Sequence, residues 1–180
     1  MNTHPHFLWK DLFNKGKRRL DLLRILKENV LFSTLSMREL KYLSNFVYER
    51  TYESEEQIFE QGDRGVGMYL IASGRVAIRT HNSQGDVLHT VLNEGSFLGE
   101  LALVDPQHLR TAQAIPLERS VLIGFFKPDL EDIIQRNPAM GVKILFQLST
   151  VLGKRLLETT QRITVLKERT SEQEKNAQAA

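Results

Sequence analysis

The chain contains no cysteine. That excludes disulfide staples, thiol nucleophiles, zinc ribbons and iron–sulfur clusters, all of which need the thiolate. It also fits, weakly, a reducing compartment. Long apolar runs are missing as well: nothing approaches the roughly 18 residues that a membrane span needs. The opening segment MNTHPHFLWKDLFNKGKRRL carries its basic residues after its apolar cluster, the reverse of a secretory signal. A cytoplasmic location without a membrane span is therefore expected. Histidine is scarce and scattered, at His4, His6, His81, His89 and His108, whereas a metal-dependent β-barrel enzyme would cluster it. Ser73 and Ser96 stand in turn sequences with no histidine arranged for nucleophilic work. No catalytic residue and no metal ligand is assigned, and the expectation is a binding module, not an enzyme.

Charge of one sign is also in short supply. The net charge of +2 is too small to indicate nucleic acid by itself. Its distribution is uneven: residues 1–30 hold seven Lys and Arg against three acids, so they carry +4 and the remainder about −2. Two readings of residues 1–19 stay open, a docking arm for a partner or a solvated helix face with a few core anchors. The rest of the composition is ordinary, with 26% charged and 41% hydrophobic residues in 180. That length suits one compact domain with its own core.

Three textures follow one another. Residues from about 20 to 50 read helical: Leu20, Leu23, Leu26 and Val30 recur at steps of three and four, and Ser36-Met-Arg-Glu39 is a capping box for a helix over about 36–47. From 51 to 126 short alternating apolar runs, such as Met68-Tyr-Leu-Ile71, Val76-Ala-Ile78 and Thr90-Val-Leu92, are cut by glycine-bearing turns. Many short strands so spaced indicate an antiparallel sandwich or barrel. From 128 to 168 the helical period returns, broken at Asn137-Pro138. Along the long helix, Leu145, Leu148, Leu152, Leu156, Thr159, Ile163 and Leu166 form a seam that either packs on the domain or pairs with another helix. Residues 169–180 read as a polar, frayed tail.

The informative segment is Gly95-Ser-Phe-Leu-Gly-Glu-Leu-Ala-Leu-Val-Asp-Pro-Gln-His-Leu-Arg-Thr-Ala112. Gly99 lets backbone approach something closely. Glu100 and the apolar turn Leu101–Val104 follow, and Arg110 comes about ten residues on with Thr111 beside it. Amides freed at a short helix's start can hold an anion, a guanidinium can close on it, and a carboxylate can accept from a sugar hydroxyl.

This segment resembles the phosphate-binding cassette of the cyclic nucleotide-binding domain family. Phe97-Leu-Gly-Glu-Leu-Ala-Leu103 and Arg110-Thr-Ala112 match in order and spacing, and Phe59-Glu-Gln-Gly-Asp63, Met68-Tyr-Leu-Ile71 and Gly74-Arg-Val76 resemble the hairpins before it. The resemblance implies an α+β, mainly β fold: an antiparallel double-stranded β-helix or jelly-roll barrel, flanked by N-terminal helices and a long C-terminal helix. It implies that residues 20–168 bind cAMP or cGMP, with no metal. Arg110 would pair with the phosphate, helped by the amides of Leu101, Ala102 and Thr111. Glu100 would accept from the ribose 2′-hydroxyl with Gly99 admitting the sugar, and Leu88 and Val76 would wall the base.

A second resemblance, of Lys154–Ile163 to the dimerisation helix of the catabolite activator branch, implies that Thr159 and Thr160 read the base and leaves a homodimer open. Many members continue into a helix-turn-helix domain. After Leu166 only about a dozen residues remain, too few for one, so DNA binding is not expected and signalling would run through an unidentified protein partner. The alternative is a ligand-independent adaptor that keeps the fold with a degenerate pocket.

Overall fold

The computed structural model describes residues 21–82, 85–105 and 109–178, and gives the backbone alone for 82, 86, 88 and 169–178. The expected arm at residues 1–19 lies outside them. Residues 21–28 are helical (α1), followed by α2 (Met37–Leu43). Seven strands come next: β1 (Val47–Tyr52), β2 (Gly67–Ser73), β3 (Val76–Asn82), β4 (Gly85–Leu92), β5 (Phe97–Leu98), β6 (Gln113–Pro116) and β7 (Ser120–Phe126). A short 3-10 helix, Glu100–Leu103, stands between β5 and β6. Then α3 (Lys127–Arg136) and α4 (Pro138–Gln178) complete the described chain.

Two antiparallel sheets form, one in the order β1-β7-β2-β5 and the other β4-β3-β6. Isolated bridges tie Phe59 to Ala114 of β6 and Arg64 to Leu109. The mainly β fold with helices at both ends is the one expected. The barrel is not: among the described residues the sheets stay separate and do not close into a continuous ladder.

The central strands of the four-stranded sheet, β2 and β7, are buried on both faces. Met68, Leu70, Ile123 and Phe125 pack against the helical side with Leu26, Phe32, Leu40, Ile133 and Leu148. The alternate residues Ile71 and Leu122 face the other sheet, with Tyr52, Val76, Leu98 and Ala114. A strand buried on both faces loses polar alternation, which explains why β2 and β7 read as continuous apolar runs. The Phe32 and Phe125 rings meet edge-on, with centroids 5.7 Å apart.

Three boundaries differ from expectation. The helix opened by the capping box stops at Leu43, not 47, where the Asn45 side-chain amide donates back to the Lys41 and Tyr42 carbonyls of its last turn. Val47-Tyr-Glu-Arg-Thr-Tyr52, rich in β-branched and aromatic residues, then pairs with β7. Gln57-Ile-Phe59 supplies one bridge residue and no strand. At the other end α4 continues to Gln178, so the backbone expected to fray at 169 is helical.

The capping box links the two helical ends. Ser36 N–H donates to Glu39 at 2.7 Å and the Glu39 N–H to Ser36 Oγ. Lys143 of α4 donates to both Glu39 oxygens, at 2.8 and 3.0 Å. The bond from Lys143, above all, pulls the Glu39 carboxyl down to about 2 from 4.5. A depressed carboxyl stabilises the fold above its unfolded value and stops doing so as pH falls through its folded one. Replacing Lys143 by methionine is expected to cost on the order of 1 kcal/mol at neutral pH. That cost should shrink as the pH falls from about 4.5 toward about 2, and urea unfolding of both proteins across this range measures it.

Candidate functional site

The site is built where β5 turns into the 3-10 helix. Gly99 adopts φ 75°, in the left-handed region, and so swings the chain from β5 into Glu100–Leu103. A side chain there would collide with the Arg110 guanidinium. Gly65 plays a matching part on the other side: a Cβ on it would stand 2.8 Å from the Ala102 Cβ and 3.3 Å from Arg110 Cζ. Both glycines leave room for one arginine.

Arg110 is held from backbone to fork. Its N–H donates to the Asp63 carbonyl at 2.8 Å and its carbonyl accepts from Gly62 N–H at 2.8 Å. Its guanidinium donates to the Gly99 carbonyl at 3.1 Å and to the Gly67 carbonyl at 2.7 Å. The Phe59 ring lies 4.2 Å from Cζ. The residue is only 5% exposed, yet no carboxylate lies within ion-pair distance of it among the described residues. Burial pushes its pKa down, opposed by the fields of Tyr69, Glu100 and Asp63. A buried cation whose fixed partners are neutral carbonyls and a ring is poised to take an anion.

Glu100 is equally buried, at 4% exposed. Its carboxylate accepts a short bond from Arg155 of α4. Arg155 also donates to the Phe97 carbonyl at 3.4 Å and lies 4.8 Å from the Phe97 ring. The C-terminal helix is thereby tied to the cassette.

These groups surround a cavity of about 400 Å³, within the range of small-molecule sites. Ile78 of β3 with Thr90 and Leu92 of β4 form one wall, and Phe97–Leu101 another. Phe59, Arg110–Ala112, and Arg155 and Arg162 of α4 complete the lining. Glu100 is the one carboxylate in this lining among the described residues.

Of the residues singled out from sequence, Gly99, Glu100, Leu101, Arg110 and Thr111 meet in this lining. Five do not. Ala102 lies behind it, fully buried, with its amide donating to the Gly99 carbonyl at 3.2 Å, so that amide closes the turn. Val76 is fully buried in the core between the sheets, and Ile78, two residues on, takes the wall position. Leu88 is described by its backbone alone, which pairs with Arg79; the register steps from Thr90 to Leu88, so alternation counted through His89 does not carry across. Thr159 and Thr160 are exposed and outside the lining. Their hydroxyls donate back to the Arg155 and Leu156 carbonyls at 2.8 and 2.9 Å, the usual fate of a helical threonine.

Sequence reasoning missed Phe59, Ile78, Thr90, Leu92, Arg155 and Arg162. Arg155 and Arg162 did carry a signal: they are two basic residues seven apart, on one face of a helix.

The fold defines the class first. A cyclic nucleotide-binding domain from Methylobacillus flagellatus superposes with a TM-score of 0.71 over 82% of this chain and 83% of that one, at 24% identity, a likeness of fold alone. The crystal structure of the Thermus thermophilus catabolite activator protein gives 0.69 at 29% identity, over 77% of this chain and 63% of that one.

Sequence then gives the family. Residues 49–137 match the family model described as the cyclic nucleotide-binding domain, and this segment belongs to that family. The chain is 31% identical over 142 residues to the cyclic AMP receptor protein of Thermus thermophilus, covering 78% of this chain and 63% of that protein. It is 32% identical over 102 residues to the cAMP-dependent protein kinase type II regulatory subunit of Drosophila melanogaster, covering 57% of this chain and 26% of that one. The chain thus spans less than two thirds of each of these relatives.

Gly99→Ala is expected to force the Arg110 fork off its carbonyls and to strain the left-handed turn. The expected cost is about 1–3 kcal/mol in denaturant unfolding. A variant as stable as the parent, with Arg110 unmoved in a crystal structure, would contradict that account.

Proposed function

We propose that the cavity binds a cyclic nucleotide, cAMP or cGMP, and that the chain is a cytoplasmic receptor, not an enzyme, acting through a protein partner. The observation that carries this reading is Arg110, a buried guanidinium without a carboxylate, lining a cavity of nucleotide size. The cyclic phosphate is its natural counter-ion. Amides of the first turn after Gly99, Leu101 in particular, and of Thr111 add donors to the same anion. Glu100 accepts from the ribose 2′-hydroxyl, for which the sugar must compete with Arg155 or share the carboxylate with it. No group of His, Asp and Glu able to hold a metal occurs among the described residues, and no helix among them is long and apolar enough to cross a membrane.

The Glu100–Arg155 pair is the route by which occupancy reaches α4. A ligand that changes that pair changes the helix's docking, within the limit set by its differential affinity for the two states. The seam foreseen along α4 divides at this point. Leu148 is buried and Leu145 and Leu152 pack on the core. Beyond them Leu156, Leu157, Ile163, Val165 and Leu166 are between 45% and 67% exposed. A projecting helix is stabilised mainly by what covers its apolar face, and the corresponding segment of a second copy would cover this one.

Replacing Arg110 by alanine is expected to weaken both cAMP and cGMP by about a hundredfold or more, read by isothermal calorimetry. Unchanged affinity would refute the site. Leu156→Glu should convert a dimer to a monomer in sedimentation equilibrium; a parent chain that is monomeric at all concentrations would rule out the second copy.

A further inference from the structure

The positive charge of the chain is gathered at its start. Residues 1–45 hold nine Lys and Arg against four acids and carry +5, so the remaining residues carry −3, against a total of +2. One of those four acids, Glu39, is committed to Lys143. The described part of this region presents a mixed face. On α2, Leu40 and Leu43 are buried, and Met37, Arg38 and Lys41 stand together on the opposite side. Met37 is 53% exposed, and Val30, between α1 and α2, is 46% exposed. The Arg38 and Lys41 side chains make no ion pair among the described residues.

Residues 1–20 lie outside the described residues, directly before α1, and their sequence repeats the mixture. Read at helical spacing, Leu8, Trp9, Leu12 and Phe13 fall on one side. Lys10, Lys15, Lys17, Arg18 and Arg19 are interleaved with them or follow. Leu23 and Leu26 of α1 share one core cluster with Leu40 and Leu43 of α2, so the arm leaves from the same helical side of the molecule.

We infer that residues 8–20 and the Met37–Lys41 face of α2 together form a docking surface for an anionic lipid bilayer, on which the chain lies without crossing it. The inference does not depend on what the cavity binds. Among the described residues no helix is long and apolar enough to cross a membrane. Superficial attachment needs apolar side chains to enter the headgroup region and basic ones to meet the lipid phosphates. Both stand here on neighbouring elements. Nucleic acid would use the charges and leave Leu8, Trp9, Leu12, Phe13 and Met37 in water. The negative remainder of the chain is repelled by the same lipid surface, which orients the molecule with this side toward it.

The test is co-sedimentation of the full chain with vesicles of phosphatidylcholine and phosphatidylglycerol in equal parts, against vesicles of phosphatidylcholine alone. Trp9 is the one tryptophan of the chain, so its emission reports that position by itself. The chain is expected to bind the anionic vesicles with Trp9 emission moving to shorter wavelength, and the neutral ones far more weakly. Affinity should fall about tenfold or more between about 0.05 and 0.5 M salt. Arg38→Glu with Lys41→Glu should weaken it by about 25-fold or more, and Leu12→Glu by about tenfold or more. Arg38 and Lys41 are exposed, so that variant is expected to keep the parent's urea midpoint, which shows that it is folded.

Four results overturn the inference: no sedimentation with the anionic vesicles, equal binding to the neutral ones, unshifted Trp9 emission in the vesicle-bound chain, or vesicle binding by Arg38→Glu with Lys41→Glu as tight as the parent's. Tighter binding to double-stranded DNA than to the anionic vesicles, at the same salt and phosphate concentration, also overturns it and assigns the charge to nucleic acid.

Discussion

A buried guanidinium organises this molecule. Arg110 has almost no contact with solvent, and an unsolvated cation is expensive unless it is surrounded by acceptors. The fold supplies two carbonyls and a ring, which orient the group and leave its charge uncancelled. Each neighbouring feature follows from that requirement. Gly99 and Gly65 are glycine because a Cβ at either would crowd the fork. The Gly62–Asp63 turn clamps the Arg110 backbone from both sides, and β2 contributes the Gly67 carbonyl. The cassette is less a loop that carries an arginine than a packing solution built round one.

The pair next to it follows a different rule. Glu100 is as buried as Arg110, yet it does not neutralise it, because Arg155 reaches in from α4 and takes the carboxylate. The cavity therefore keeps its buried cation, Arg110, free of a counter-ion, with one ion pair beside it. A ligand with a single anionic group and a hydroxyl a few ångströms away satisfies both without burying a new unpaired charge. A dianion would find no second committed donor set near Arg110, and a neutral ligand would leave the guanidinium as it was.

Sequence reveals most of this arrangement where the requirement is local. Gly99, Glu100 and Arg110 were legible because a left-handed turn, a carboxylate and a cation at fixed spacing are written within about a dozen residues. The capping box at Ser36–Glu39 was legible for the same reason. What stayed hidden depends on how distant strands face one another. Val76 and Ile78 share a face of β3, but only their depth between the sheets assigns one to the core and the other to the wall. Leu88 came from the family likeness, and the step in register between Thr90 and Leu88 interrupts the alternation along β4 without any local sign of it. Thr159 and Thr160 were read from a likeness that presupposes where the helix lies; here their hydroxyls satisfy themselves on the helix, and the longer arginines on the same element reach the cavity instead.

The long helix shows why the two ends of the chain belong to one device. Lys143 ties α4 to the N-terminal capping box, and Arg155 ties it to the cassette. The step of twelve residues from one to the other spans about 18 Å of a rigid rod. A rod pinned at two points cannot follow a change at one without load on the other. The cassette tie is the one a ligand can alter, since the carboxylate it uses lines the cavity. The capping-box tie uses no residue of the cavity lining, so a ligand in the cavity leaves it in place. Movement is therefore expected to pivot about Lys143 and to grow toward the exposed, apolar half of α4, where a small rotation changes most what a partner would meet.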